Sequence, residues 1–141
     1  SRFECAMKRI GTYTRRSTSS IEADWDKLAR DLGKSFFDQI LEKGCAQDLI
    51  RKPPKKKIIL ADGRLGWREE PPVIDVSGLF LAIRRARNNL FHGGKYRDDG
   101  SGNANMVDGA ERSDALLEQS IIIMRLVLER KEDLYGCYRK F

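Results

Sequence analysis

Apolar positions along the chain fall mainly into a helical period. Phe3, Met7 and Ile10 recur at i, i+4, i+7 and predict a short first helix over roughly residues 2–13. The polar stretch RRSTSS reads as a loop, and Ser19 followed by Glu22 forms a capping-box pattern expected to open the next helix. From there Ile21, Trp25, Leu28, Leu32, Phe36 and Ile40 hold one stripe for roughly five turns, and Gly44 can stop it as a left-handed cap. The character changes over residues 45–75. Two prolines, a lysine run, Ile58-Ile59-Leu60, an Asp62-Gly63 turn and Leu65 to Trp67 suggest a small hairpin or ordered loop, closed by Pro71-Pro72. A third helix is expected from about Val76 to His92, ended by Gly93-Gly94. YRDDGSGNANMVDG then reads as a loop, and Asp108 with Glu111 repeats the capping pattern ahead of a fourth long helix reaching about Lys131.

That last helix carries Leu116, Leu117, Ile121 to Met124, and Leu126 to Leu128, so it is apolar nearly all round. Such a helix needs cover on more than one side, and a small domain has little with which to cover it. A partner subunit follows as an expectation. The chain reads as a single domain over residues 1–141, an all-α bundle of four to five helices with a basic irregular insert able to hold a short β-hairpin.

The third helix divides into two faces. At ~100° per residue, Val76, Leu79, Ile83, Ala86 and Leu90 share the core side, while Leu81, Arg85, Asn88 and His92 lie opposite. Arg87 projects ~140° from His92 and overlaps the edge of the core face. A guanidinium there needs partners, because an unpaired buried charge is costly. Its stem can snorkel outward, the helix can loosen toward Gly93-Gly94, or a second chain can complete the geometry.

The charge balance sets a direction. With 27 Lys and Arg against 21 Asp and Glu, the net charge is +6, and the pI is about 9.4. This favours a polyanionic partner, nucleic acid before membrane. No apolar run approaches the ~20 residues of a membrane span, and Glu4, Lys8 and Arg9 break any signal-peptide core. Cys5, Cys45 and Cys137 are odd in number and scattered, as expected of reduced thiols in a cytoplasmic protein. With one histidine in the chain they argue against a metal site, and no cofactor is expected. The chain opens on Ser1 rather than Met, as expected of a trimmed product or part of a longer protein.

The histidine stands in RRARNNLFHGGKY, residues 84–96. Arg87-Asn88-Asn89-Leu90-Phe91-His92 resembles the Arg-Asn-x-x-x-His form of the Arg-x(4–6)-His motif of HEPN domains (higher eukaryotes and prokaryotes nucleotide-binding). DWDKLARDL and PPKKK also look like segments of small bacterial HEPN proteins encoded with defence or plasmid-maintenance genes. The resemblance extends over nearly the whole chain in helix order, but only the motif is specific. It implies a metal-independent endoribonuclease, homodimeric, with the motifs of two protomers facing one another, acting as a toxin or antiviral defence effector beside an antitoxin or regulatory protein. Carried over residue by residue, Arg87 and His92 are catalytic and Asn88 is their polar organiser. One departure stands out. The subgroup paired with nucleotidyltransferase antitoxins has a tyrosine two residues after the histidine; here that residue is Gly94, and Tyr96 follows later.

The chemistry suits these residue types. RNA carries its own nucleophile, the 2′-hydroxyl; an imidazole can move protons near neutral pH, and an arginine can offset charge on the phosphoryl oxygens. A dimer with two His92 side chains would supply both base and acid. Arg84, Arg85, Lys95 and Arg97 flank the motif as candidate phosphate contacts, and Lys55, Lys56 and Lys57 can guide RNA or simply keep a loop solvated. Trp67, Tyr96 and Phe91 offer stacking faces, although packing is the simpler role for Trp67 and Phe91. Two other readings stay open: a HEPN-type module that binds RNA or nucleotide, or dimerises, without cleaving; and a helical partner-binding domain from a longer protein.

Overall fold

The computed structural model of the chain describes residues 2–16, 21–91, 96–98, 104–106 and 110–132, together with Gly136 and Arg139. Helix α1 (Arg2–Ile10) buries Phe3, Ala6 and Met7. It ends three residues before the expected 13, at Gly11, whose φ of 77° suits a residue without a Cβ. The segment expected as the capped start of the next helix is instead a small ladder. Strands β1 (Thr14–Arg16) and β2 (Ile21–Ala23) pair antiparallel, with Arg15 opposite Glu22 and bonded to it at 3.2 Å. Glu22 is therefore a cross-strand partner rather than a capping-box residue, and Ser19 lies outside the described residues. The competing interactions are local: Tyr13 and Ala23 are buried, and the Tyr13 carbonyl accepts the Asp24 N–H at 2.7 Å.

Helix α2 (Trp25–Lys43) starts on Asp24, whose carboxylate accepts the Lys27 N–H at 3.1 Å. The expected stripe is present from Trp25 on: Trp25, Leu28, Leu32, Phe36 and Ile40 are all buried, whereas Ile21 stands on β2 rather than on the helix. The helix is broken at Gly33, however (φ 65°, ψ −166°), a region essentially restricted to glycine. Its C-terminus closes as expected on Gly44, left-handed, with its N–H bonded to the Ile40 and Leu41 carbonyls.

Helix α3 (Gln47–Arg51) was not foreseen from the sequence. Its preceding residue, Ala46, offers no capping side chain. Gln119, some 70 residues away, supplies the cap instead: its Oε1 accepts the Asp48 and Leu49 N–H groups at 3.1 and 3.2 Å, and its amide donates to Asp48 at 2.8 Å. The hairpin around Asp62-Gly63 forms as expected, with β3 (Lys56–Ile59) antiparallel to β4 (Leu65–Arg68). Gly63 takes φ 84° in the turn, and a Cβ on Gly66 would lie 2.8 Å from the Leu60 side chain.

Helix α4 (Val76–Phe91) is opened by Asp75, which accepts the Gly78 N–H at 2.8 Å. Val76, Leu79, Ile83 and Ala86 are buried as the periodicity requires, and α4 packs on α2. The stretch expected as loop after α4 contains a third ladder, β5 (Tyr96–Asp98) against β6 (Ala104–Met106). Its glycine and asparagine content concealed these short strands. Helix α5 (Ala110–Arg130) buries Leu116, Ile123 and Val127 against α3 and α4, while Ile121 and Ile122 remain 54% and 40% exposed. The described residues form a mainly helical fold of five helices with three two-stranded ladders. Among the described residues no helix is long and apolar enough to cross a membrane.

Candidate functional site

The C-terminal half of α4 carries Arg87 and Asn88 of the motif, and the arginine has a definite partner. Arg87 Nη1 donates to Glu4 Oε1 of α1 at 2.7 Å, and the other Glu4 oxygen accepts Trp25 Nε1–H at 3.2 Å. The pair is partly buried, with side-chain exposures of 32% for Arg87 and 22% for Glu4. Burial by itself pushes the Glu4 carboxyl up, but the hydrogen bonds from Arg87 and Trp25 and the nearby guanidinium charge outweigh it and hold its pKa below the ordinary value. The guanidinium at the edge of the core face thus finds its carboxylate within the chain.

Arg84, one turn earlier, lays its guanidinium over the Trp25 ring, 5.7 Å from the centroid. Trp25 is itself stacked on Phe3 and set edge-on to Phe80, both with centroids 5.4 Å apart. Those rings fix the platform on which Arg84 rests. Arg84 and Arg87 then line one wall of a groove of about 950 Å³ between α1, α4 and α5, joined by Arg2 and Arg125. Four arginines and one carboxylate, Glu129, line it together with apolar residues that include Ile83, Leu117, Met124 and Leu128. Arg2, Arg125 and Glu4 escaped sequence reasoning. The need of Arg87 for partners was visible in the helical wheel; that the partner is a carboxylate of α1, 83 residues away, carried no local signal.

The remaining candidates divide between two places. Arg85 leaves the groove and pairs with Glu70 at 3.2 Å, which Arg68 also approaches at 3.6 Å. Asn88 is exposed, beside Arg87 in sequence. Its neighbour Asn89 donates to the Lys55 carbonyl at 3.1 Å, fastening the base of the β3–β4 hairpin to α4. Lys55 is half-buried there, and Lys56 and Lys57 stand exposed on β3. Arg112 of α5 holds the same base from the other side, donating to the Lys52 and Pro53 carbonyls. Arg97 is placed on β5, opposite Asn105. His92 and Lys95 lie outside the described residues. Among the described residues no group of three His, Cys, Asp or Glu side chains is placed to hold a metal ion.

The arrangement can bind an anion with an apolar neighbour, because the guanidiniums of Arg84 and Arg87 are held in place beside hydrophobic lining residues. No protein-family model, curated protein or solved structure matches the chain, and the likeness to HEPN domains rests on the residues of the motif.

Proposed function

We propose that the chain is a HEPN-type, metal-independent endoribonuclease that works as a homodimer. The observation that carries this reading is the Arg87-Asn88-x-x-x-His92 sequence motif, whose Arg87 stands on α4 and lines a groove that also holds Arg2, Arg84 and Arg125. In the proposed reaction the RNA 2′-hydroxyl attacks the adjacent phosphorus and the 5′-oxygen leaves, giving a 2′,3′-cyclic phosphate. One His92 removes the hydroxyl proton and the His92 of a second copy protonates the leaving oxygen. Arg87 offsets the charge developing on the phosphoryl oxygens, and Asn88 orients the imidazole. Exposed Ile121 and Ile122 give a second copy an apolar surface to cover. The lysines of β3 guide the RNA backbone, and the setting is a cytoplasmic toxin or defence effector held in check by an antitoxin or regulatory protein.

The Arg87–Glu4 pair favours a second reading, in which the arginine is structural and the domain binds RNA or dimerises without cutting. Purified protein incubated with RNA in EDTA separates the two. Cleavage lost in His92→Ala and Arg87→Lys, both still folded, supports the nuclease. An inert parent that still binds RNA supports the module.

A further inference from the structure

One carboxylate does not exhaust a guanidinium. Arg87 gives Nη1 to Glu4 at 2.7 Å, while a guanidinium carries several N–H donors in a fixed fork. Among the described residues no partner takes its Nε or Nη2. Arg87 lines the groove and Glu4 does not. The carboxylate therefore grips the guanidinium from outside the groove and leaves donors for a phosphate within it.

Glu4 is itself held. Its second oxygen accepts Trp25 Nε1–H at 3.2 Å. The Trp25 ring is buried, stacked on Phe3 of α1 and edge-on to Phe80 of α4. Contacts thus run from a buried ring to a carboxylate to the motif arginine. A long side chain left free must lose its rotamer freedom when it meets the reacting phosphate, and one already fixed need not. The bonds from Arg87 and Trp25 hold the Glu4 carboxyl below its usual pKa, so near neutral pH it stands as an anion rather than an acid. Its charge repels RNA, the wrong sign for a residue that binds the substrate.

We propose that Glu4 is a positioning residue, which aims Arg87 at the reacting phosphoryl group and does not touch RNA itself. This role rests on the nuclease reading above, and it adds a residue of α1 to the machinery of the motif. A purely structural pair would leave the rate per folded molecule unchanged.

Glu4→Ala and Glu4→Gln test it, each scaled to the folded fraction measured by circular dichroism at the assay temperature. The probe is a fluorophore-labelled, mixed-sequence RNA, cut at saturating concentration in EDTA. The same RNA with 2′-O-methyl groups lacks the nucleophile and reports binding alone. Glu4→Ala should slow cleavage per folded molecule by about tenfold or more, within the ~100-fold that a misplacement of about 1 Å can cost. Glu4→Gln keeps an acceptor oxygen at the same reach and should recover part of that loss. Both should hold 2′-O-methyl RNA at least as tightly as wild type, since each removes a negative charge. Glu4→Asp keeps the charge one methylene short and should also slow cleavage, a second variant for the case that Glu4→Ala unfolds. Wild-type rates per folded molecule in these variants would overturn the proposal and leave the nuclease in place. So would a loss fully accounted for by weaker RNA binding. A wild type that cuts nothing fails the nuclease reading itself, and the positioning role falls with it.

Discussion

The α1–α4–α5 groove and the β3–β4 hairpin are both basic, yet they hold their charge differently. In the groove, Arg87 is tied to Glu4 at 2.7 Å and Arg84 rests on Trp25, so the guanidiniums are fixed by a buried aromatic stack. On the hairpin, Lys56 and Lys57 stand in solvent on a two-stranded ribbon whose apolar Ile59 and Leu65 are 75% and 61% exposed. Isolated hairpins are marginal in water, and this one is held mainly at its base, by Asn89 and Arg112. Charge held in place can stabilise a transition state; charge on a long solvated side chain can only raise the local concentration of a polyanion. The same sign therefore predicts two jobs.

Activity gives the widest separation between the regions. His92→Ala should lower RNA cleavage by about 100-fold or more, the ordinary scale for losing a general acid–base group, and Arg87→Lys should fall in the same range. Replacing Lys55, Lys56 and Lys57 by alanine should leave the chemical step intact and weaken RNA binding. For single-stranded RNA the slope of log affinity against log salt should shrink by about 2, at ~0.7 for each phosphate that a lysine no longer neutralises. A triple variant as inactive as His92→Ala at saturating RNA would erase the distinction.

Stability should separate the regions next. Glu4→Gln removes the charge partner of Arg87 and should cost about 2 kcal/mol in denaturant unfolding, whereas neutralising an exposed hairpin lysine should cost under about 0.5 kcal/mol. The pH dependence has a definite sign. The folded Glu4 pKa lies below its usual 4.5, so its contribution is full above that value and is lost as pH falls through the lowered folded pKa. Glu4→Gln should flatten that part of the acid unfolding profile, and an unchanged profile would show that the pair contributes nothing.

Asn89→Ala should have a smaller effect, about 1 kcal/mol from one hydrogen bond, but a regional one. Amide exchange should quicken across residues 56–68 and leave α1 and the first half of α4 as they were. Exchange that rises equally in both regions would mean the hairpin and groove unfold as one unit.

What could be read in advance follows the reach of the interactions. The α2 stripe, the Gly44 stop, the Asp62-Gly63 turn and the buried face of α4 depend on neighbours a few residues apart, and each is present. Even the demand of Arg87 for a partner was visible from its angle on the helix. Missed features come from distant residues or from single backbone choices. Helix α3 exists with Gln119 as its cap, Glu4 reaches Arg87 across most of the chain, and Gly33 interrupts a stripe whose apolar period continues across the break. The two added ladders are three residues per strand, too short for alternation to stand out against turn residues. The groove was least legible of all, since it is assembled from α1, α4 and α5 together.

The most direct test of the central claim, that two copies share one reacting phosphate, is to re-equilibrate wild type with His92→Ala in equal amounts at fixed total protein. If each cut needs an imidazole from both copies, random pairing leaves about one quarter of the wild-type activity, because a C2 pair is intact only when both members are. An activity of about one half would place a complete site in each chain, and no cleavage by wild type in EDTA would remove the nuclease altogether.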